Sequence, residues 1–148
     1  AASDVYKRQC QAAVAMLAKI GVRVKLDAIP KAQHFPKIQK RVTDFYMLGW
    51  GVSTLDSHYV FSYLIESKGS WNGTGYSNAR VDEITKMIAS ETDIPKRTAL
   101  IDEAWTIVKS EMPYVPIHHQ VLAWGMSDNI DIPISSDDRL RPRFVVMK

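Results

Sequence analysis

The sequence predicts an α/β chain. Apolar residues that recur every three or four positions mark helices, and alternation of apolar with polar residues marks strands. These patterns follow one another as helix, strand, helix, strand, helices, strands, an order that argues an α/β architecture. The 148 residues suffice for about one domain. With 46% hydrophobic and 24% charged residues, the composition is that of a globular chain rather than a disordered one.

Residues 11–20 read as the first helix, with Ala12, Ala13, Met16, Leu17 and Ile20 at helical spacing. Gly21 is its natural stop, because glycine tolerates the left-handed cap conformation. Val22, Val24, Leu26 and Ala28 alternate with Arg23, Lys25 and Asp27, which predicts a half-buried strand ended by Pro30. Residues 31–41 form a short helix with Phe35, Ile38 and Val42 on one side, and Pro36 limits where it can begin. Residues 45–50 are the most apolar strand candidate and run into Gly49-Trp50-Gly51. A helix through Val60, Phe61, Leu64 and Ile65 follows.

Residues 67–77 hold Gly69, Asn72, Gly73 and Gly75 and are read as a loop. Ser77 reads as the N-cap of a helix with the stripe Val81, Ile84, Met87 and Ile88. Asp93 caps another, with Pro95 tolerated in its first turn and a stripe of Leu100, Ala104, Ile107 and Val108 flanked by Ile101 and Trp105. Residues 114–118 and 121–124 have strand character, and residues 144–147 are a last apolar run. Residues 113–148 carry apolar side chains with few local partners, as a segment does that docks onto something else. Residues 1–9 are polar and fit no pattern.

Several function classes find no support. No apolar run approaches the roughly 20 residues that span a bilayer. The net charge of +3 is mild, and the basic cluster Arg139, Arg141, Arg143 lacks the aromatic or motif company of a nucleic-acid surface, so it reads as a solvated or ion-paired face. Cys10 stands alone and forms no internal disulfide. His118 and His119 are adjacent and face opposite sides of a strand, while His34 and His58 lack ligand spacing; no metal or cofactor is expected. There is no G-x-S-x-G elbow, phosphate-cradling glycine loop or H-E-x-x-H pair, so an α/β hydrolase is the weaker alternative.

Ordered landmarks point to a specific class. They are Leu17-Ala18-Lys19-Ile20-Gly21-Val22-Arg23-Val24, then Asp44-Phe45-Tyr46-Met47-Leu48-Gly49-Trp50-Gly51. Asp56 follows, with Ser57 where a proline is usual, then Gly75-Tyr76-Ser77-Asn78 with Val81-Asp82-Glu83-Ile84. Lys96-Arg97 leads toward Trp105, and Pro113-Tyr114-Val115-Pro116-Ile117-His118 comes last. In order and spacing they resemble family 5 extracellular solute-binding proteins, the oligopeptide-, dipeptide-, nickel- and haem-binding components of bacterial ABC importers.

The resemblance implies part of a two-lobe type II periplasmic-binding-protein fold. Residues 10–112 would belong to the second, C-terminal lobe, and residues 113–148 would return to pack on a first lobe absent from this sequence. It implies a binding protein rather than an enzyme, located in the periplasm or otherwise outside the cytoplasm. Its partners would be a peptide or other small solute and the permease subunits, not nucleic acid. A truncated piece without binding of its own is the alternative.

The resemblance also implies the site. The strand ending in Gly49-Trp50 would reach the cleft edge, and Gly51, Val52, Ser53 and Asp56 would form the loop that meets the solute. An exposed strand end offers backbone groups to an extended peptide, and Trp50 offers a large rigid wall. Tyr59 and Asn72, with Trp71 and Tyr76 nearby, would line the cleft. Peptide-binding members carry an aspartate three residues after the tryptophan, paired with the solute's free amino group. Here that position is Ser53, and a hydroxyl does not neutralise a buried ammonium.

Overall fold

The computed structural model describes every residue except 1, 120, 122, 136 and 138, with side chains from Tyr6 onward. Its architecture is mainly helical. Helices α1 (Ala2–Lys19), α2 (Lys31–Gln39), α3 (Ser57–Val60), α4 (Ala79–Ser90) and α5 (Ile94–Glu111) precede a small antiparallel pair, β1 (Ile130–Asp131) and β2 (Val146–Met147).

Helix α1 corrects two expectations. It runs through the polar stretch at residues 2–9, where Lys7, Arg8 and Gln9 are good helix formers and no apolar period is needed to continue. Its inward face is Tyr6, Cys10, Ala13 and Leu17, whereas Met16 and Ile20 are exposed at 66% and 74%. The Cys10 thiol contacts Met47 Sδ at 3.4 Å, so α1 lies along residues 46–50. Gly21 ends the helix as expected. It sits at φ +85°, Val22 N–H donates to Leu17 O and Gly21 N–H to Ala18 O, the paired bonds of a Schellman cap.

Of the α/β architecture expected, the structure shows the helices and little sheet among the described residues. Residues 22–30 and 46–52 form no regular secondary structure and join no ladder, and residues 23–29 make no backbone hydrogen bond among the described residues. Alternation specifies an extended segment with two faces; a ladder also needs a second strand in register. Helix α2 connects these two segments, with Ile38 fully buried, and Pro36 lies inside it rather than at its start. Val42 lies beyond the helix and is 64% exposed.

The core lies between α4, α5 and a π-helical turn at Phe61–Ile65 that continues α3. Phe61, Leu64 and Ile65 meet Val81, Ile84 and Ile88 of α4 and Ala104 and Val108 of α5. Each fully buried aliphatic side chain contributes about 1.5–3 kcal/mol over an exposed one. Met87, expected in the α4 stripe, is 41% exposed, and Thr85 is buried in its place, its hydroxyl donating to Val81 O at 2.8 Å.

Helices α4 and α5 form an antiparallel hairpin. Arg80 near the start of α4 pairs with Glu103, and Ile88 O near its end accepts from Arg97. Asp93 caps α5 by accepting from Lys96 N–H at 2.9 Å, as expected. The α4 cap is Asn78 rather than Ser77; its Oδ1 accepts from Arg80 N–H and Val81 N–H. Ser77 instead accepts from the Ser67 hydroxyl at 2.9 Å. Asn78 is the better post because its amide also reaches Glu111 on α5.

Beyond α5, Tyr114 packs on the core and its hydroxyl lies 3.3 Å from Leu64 O. The strands expected at residues 114–118 and 121–124 join no ladder among the described residues, and Leu122 lies outside them. Within the last apolar run Phe144 closes a 3₁₀ turn at Pro142–Phe144, and Val146–Met147 pairs with Ile130–Asp131. Of the basic cluster, Arg141 pairs with Asp137 at 2.6 Å and Arg143 stacks over the Phe144 ring at 4.7 Å.

Candidate functional site

Trp50 stands near the end of the segment at residues 46–52, half-buried. Its ring centroid lies 5.9 Å from Tyr59, 6.0 Å from Tyr63 and 6.0 Å from Trp71. Tyr59 and Tyr63, one helical turn apart, approach to 4.7 Å, and Phe35 meets Trp71 edge-on at 5.2 Å. Tilted and edge-on pairs at these distances are favourable for aromatic rings. The Trp50 Nε1 is buried without a hydrogen-bond partner among the described residues, an arrangement that costs free energy and that a bound acceptor would relieve.

The loop after Trp50 is lightly built. Gly51 is exposed, with open space where a side chain would stand, and Ser53 is exposed. Val52 O accepts from Leu55 N–H at 3.1 Å, closing a turn. Leu55 lies at φ +55° and is 77% exposed, an uncommon state for a residue with a branched side chain. Gly49 lies against Tyr6; a Cβ there would come 2.8 Å from the tyrosine hydroxyl.

Asp56 ends the loop and anchors it. Its Oδ1 accepts from His58 N–H at 2.8 Å, capping α3. Both its oxygens accept from Arg97 of α5, at 2.8 and 2.9 Å, in a bidentate pair. The Arg97 guanidinium beside it holds the Asp56 carboxyl below the usual aspartate range, against a smaller opposing effect of burial. With both oxygens engaged, Asp56 organises the turn.

Asp56, His58, Tyr59, Ser62 and Tyr63 line one side of an open groove of about 510 Å³, and Ile88, Ala89, Glu91 and Arg97 line the other. Trp50 lies behind this groove in the aromatic cluster. Asn72 is 4% exposed and sits in the loop that backs the cluster. Its amide nitrogen donates to Glu66 O and Tyr76 O, and its Oδ1 accepts from Thr74. The expected residues therefore divide. Trp50 and Tyr59 join in the aromatic cluster, Tyr59 and Asp56 face the groove, Gly51 and Ser53 lie open on the loop, and Asn72 is spent on holding its own loop.

Sequence reasoning missed His58, Tyr63 and Arg97. The i, i+4 spacing of Tyr59 and Tyr63 was a usable signal. Arg97 was a landmark of the resemblance, but nothing local to it points to a partner 41 residues away.

In the groove the Ser62 hydroxyl donates to His58 O at 2.7 Å and lies 3.2 Å from His58 Nε2, while Asp56 is held by Arg97 and by the His58 backbone N–H. Among the described residues no three His, Cys, Asp or Glu side chains gather in a metal-binding group, and no helix is long and apolar enough to cross a membrane.

Two curated proteins are related to this chain at a distance. It is 27% identical over 128 residues to the oligopeptide-binding protein OppA of Bacillus subtilis (strain 168), covering 86% of this chain and 24% of that protein. It is 29% identical over 117 residues to the probable D,D-dipeptide-binding periplasmic protein DdpA of Escherichia coli (strain K12), covering 77% of this chain and 23% of that one. The chain thus spans about a quarter of the length of the curated relatives it matches. No protein-family model and no solved structure matches it. Both relatives are named as binding proteins rather than as enzymes.

Proposed function

We propose that the chain is part of the substrate-binding component of an ABC importer, one that captures a peptide or peptide-like small solute outside the cytoplasm. The observation that carries this reading is the relationship to two peptide-binding proteins over most of the chain. The fold position of Trp50 supports it: an aromatic wall near the end of the segment at residues 46–52, followed by a loop with open backbone. In this reading the chain supplies one wall of a cleft whose other wall is a separate first lobe, and residues 113–148 return toward that lobe.

The work done is conformational. A solute that bridges two lobes stabilises the closed state by the difference between its affinities for the closed and open forms. Hinge closure around the solute then presents a surface to the permease. Ser53 lacks the charge that pairs with an α-ammonium, so the solute is held here without a free amine at this point.

Calorimetric titration of the full two-lobe protein with trialanine and N-acetyl-trialanine tests this. The expectation is saturable binding with dissociation constants within about threefold of each other, under 1 kcal/mol. Absence of binding by either peptide contradicts the importer reading. Binding abolished by acetylation contradicts the role given to Ser53.

A further inference from the structure

We propose that Arg97 is a positioning residue: from α5 it fixes the loop at residues 51–56 that carries the chain from Trp50 into α3, without itself touching solute. This rests on the reading of that loop as a solute-facing wall.

The loop has little else to hold it. Among the described residues its internal backbone bonding is the single Leu55 N–H to Val52 O contact, and the side chains of Ser53, Thr54 and Leu55 make no hydrogen bond. Leu55 nonetheless holds a positive φ with its side chain in solvent. Such a conformation persists only where the surroundings impose it. The imposing contact comes next in sequence: Asp56, gripped through both oxygens by Arg97.

Arg97 is itself located by a third bond, Nε to Ile88 O at the end of α4 at 3.2 Å. One guanidinium thus ties the loop, the α3 cap and the α4–α5 corner together. Its planar fork suits this task, and a lysine ammonium does not reproduce it. The other charged or titratable groups around Asp56 in the groove are His58 and Tyr59 on α3, Tyr63 on the π-helical turn that follows, and Glu91 after α4. Glu91 Oε1 is occupied by Asp93 N–H at 2.8 Å.

Amide hydrogen exchange with NMR titration of the His58 amide tests the proposal on the chain itself. In Arg97→Gln, residues 52–57 should exchange about tenfold faster while residues 81–88 stay within about twofold, a local rather than global opening. The His58 amide should report an Asp56 midpoint below 3.8 in the unaltered chain and a higher one in the variant. Arg97→Lys should restore the loop only in part. Unchanged exchange at residues 52–57, equal acceleration in α4, or an unmoved midpoint overturns the proposal. Should Arg97→Gln fail to fold, Asp56→Asn keeps an oxygen for the α3 cap and removes the ion pair; it should open the loop alone, and a closed loop counts against the proposal. None of these readouts needs a solute, so their failure is distinct from a failure of the importer reading.

Discussion

The Asn78 amide donates to both oxygens of Glu111, at 3.0 and 3.1 Å, and so ties the first turn of α4 to the last residue of α5. Tyr76 donates to the same carboxylate at 2.5 Å. Asn78 also caps α4 through its other amide atom. Asn78→Ser keeps a cap oxygen and loses the link, whereas Asn78→Ala loses both. The alanine variant should be destabilised by about 0.5–2 kcal/mol for the cap alone, and the serine variant by less. Thermal unfolding should place both below the unaltered chain, at about 4 °C per kcal/mol. Ser77→Ala, at the position first expected to cap the helix, should shift the midpoint by less than either.

Phe61 is fully buried and its ring centroid lies 4.7 Å from Trp105. Phe61→Ala should cost about 3–5 kcal/mol, a large share of the 5–15 kcal/mol typical of a domain. Denaturant unfolding should show a marked fall in midpoint with little change in slope. Ile94→Ala, at a site 77% exposed, should leave the midpoint near that of the unaltered chain.

The Asp56–Arg97 pair carries a pH signature. The folded-state pKa of Asp56 is depressed below its ordinary value of 3.8. A depressed carboxyl contributes stability that is present above the unfolded-state pKa and is lost as pH falls through the folded one. Stability of the chain should therefore decline from about pH 4 downward, and Arg97→Gln should lose part of that slope. The side chains are 34% and 28% exposed, so solvent screening keeps the contribution modest. Urea midpoints measured between about pH 2 and 7 in the two chains read it directly.

Much of the helical layer was legible in sequence, because each helix satisfies its own backbone. Gly21 as a stop, Asp93 with Pro95 as a start, and the stripe Val81, Ile84, Ile88 all follow from local rules. The strands were not legible in the same way. Residues 22–28 have a clear alternating pattern, yet a ladder is a property of two segments, and among the described residues no second segment pairs with them. The inward face of α1 was also misjudged. Ala12, Met16 and Ile20 have helical spacing, but the side that packs is set by Met47 and Gly49 across the gap. At the candidate site Trp50 and Tyr59 could be named from motif position. Arg97 acts across 41 residues, a distance over which no local pattern speaks.

Ser53 offers a gain-of-function test in the proposed two-lobe protein. It is exposed on the loop and makes no hydrogen bond among the described residues. Ser53→Asp should introduce discrimination against acetylated peptide, with trialanine gaining about tenfold over N-acetyl-trialanine, close to 1.4 kcal/mol. Equal affinities in the variant would show that this position does not face the peptide amine.

Trp50 as a solute-facing wall is tested most directly by calorimetric titration of the proposed two-lobe protein with trialanine, unaltered and as Trp50→Ala. A parallel melting curve on each protein verifies that the variant is folded at the titration temperature. The prediction is saturable binding weakened at least about tenfold in the variant, as expected when a large aromatic contact is removed. Equal affinity in the two folded proteins would contradict it.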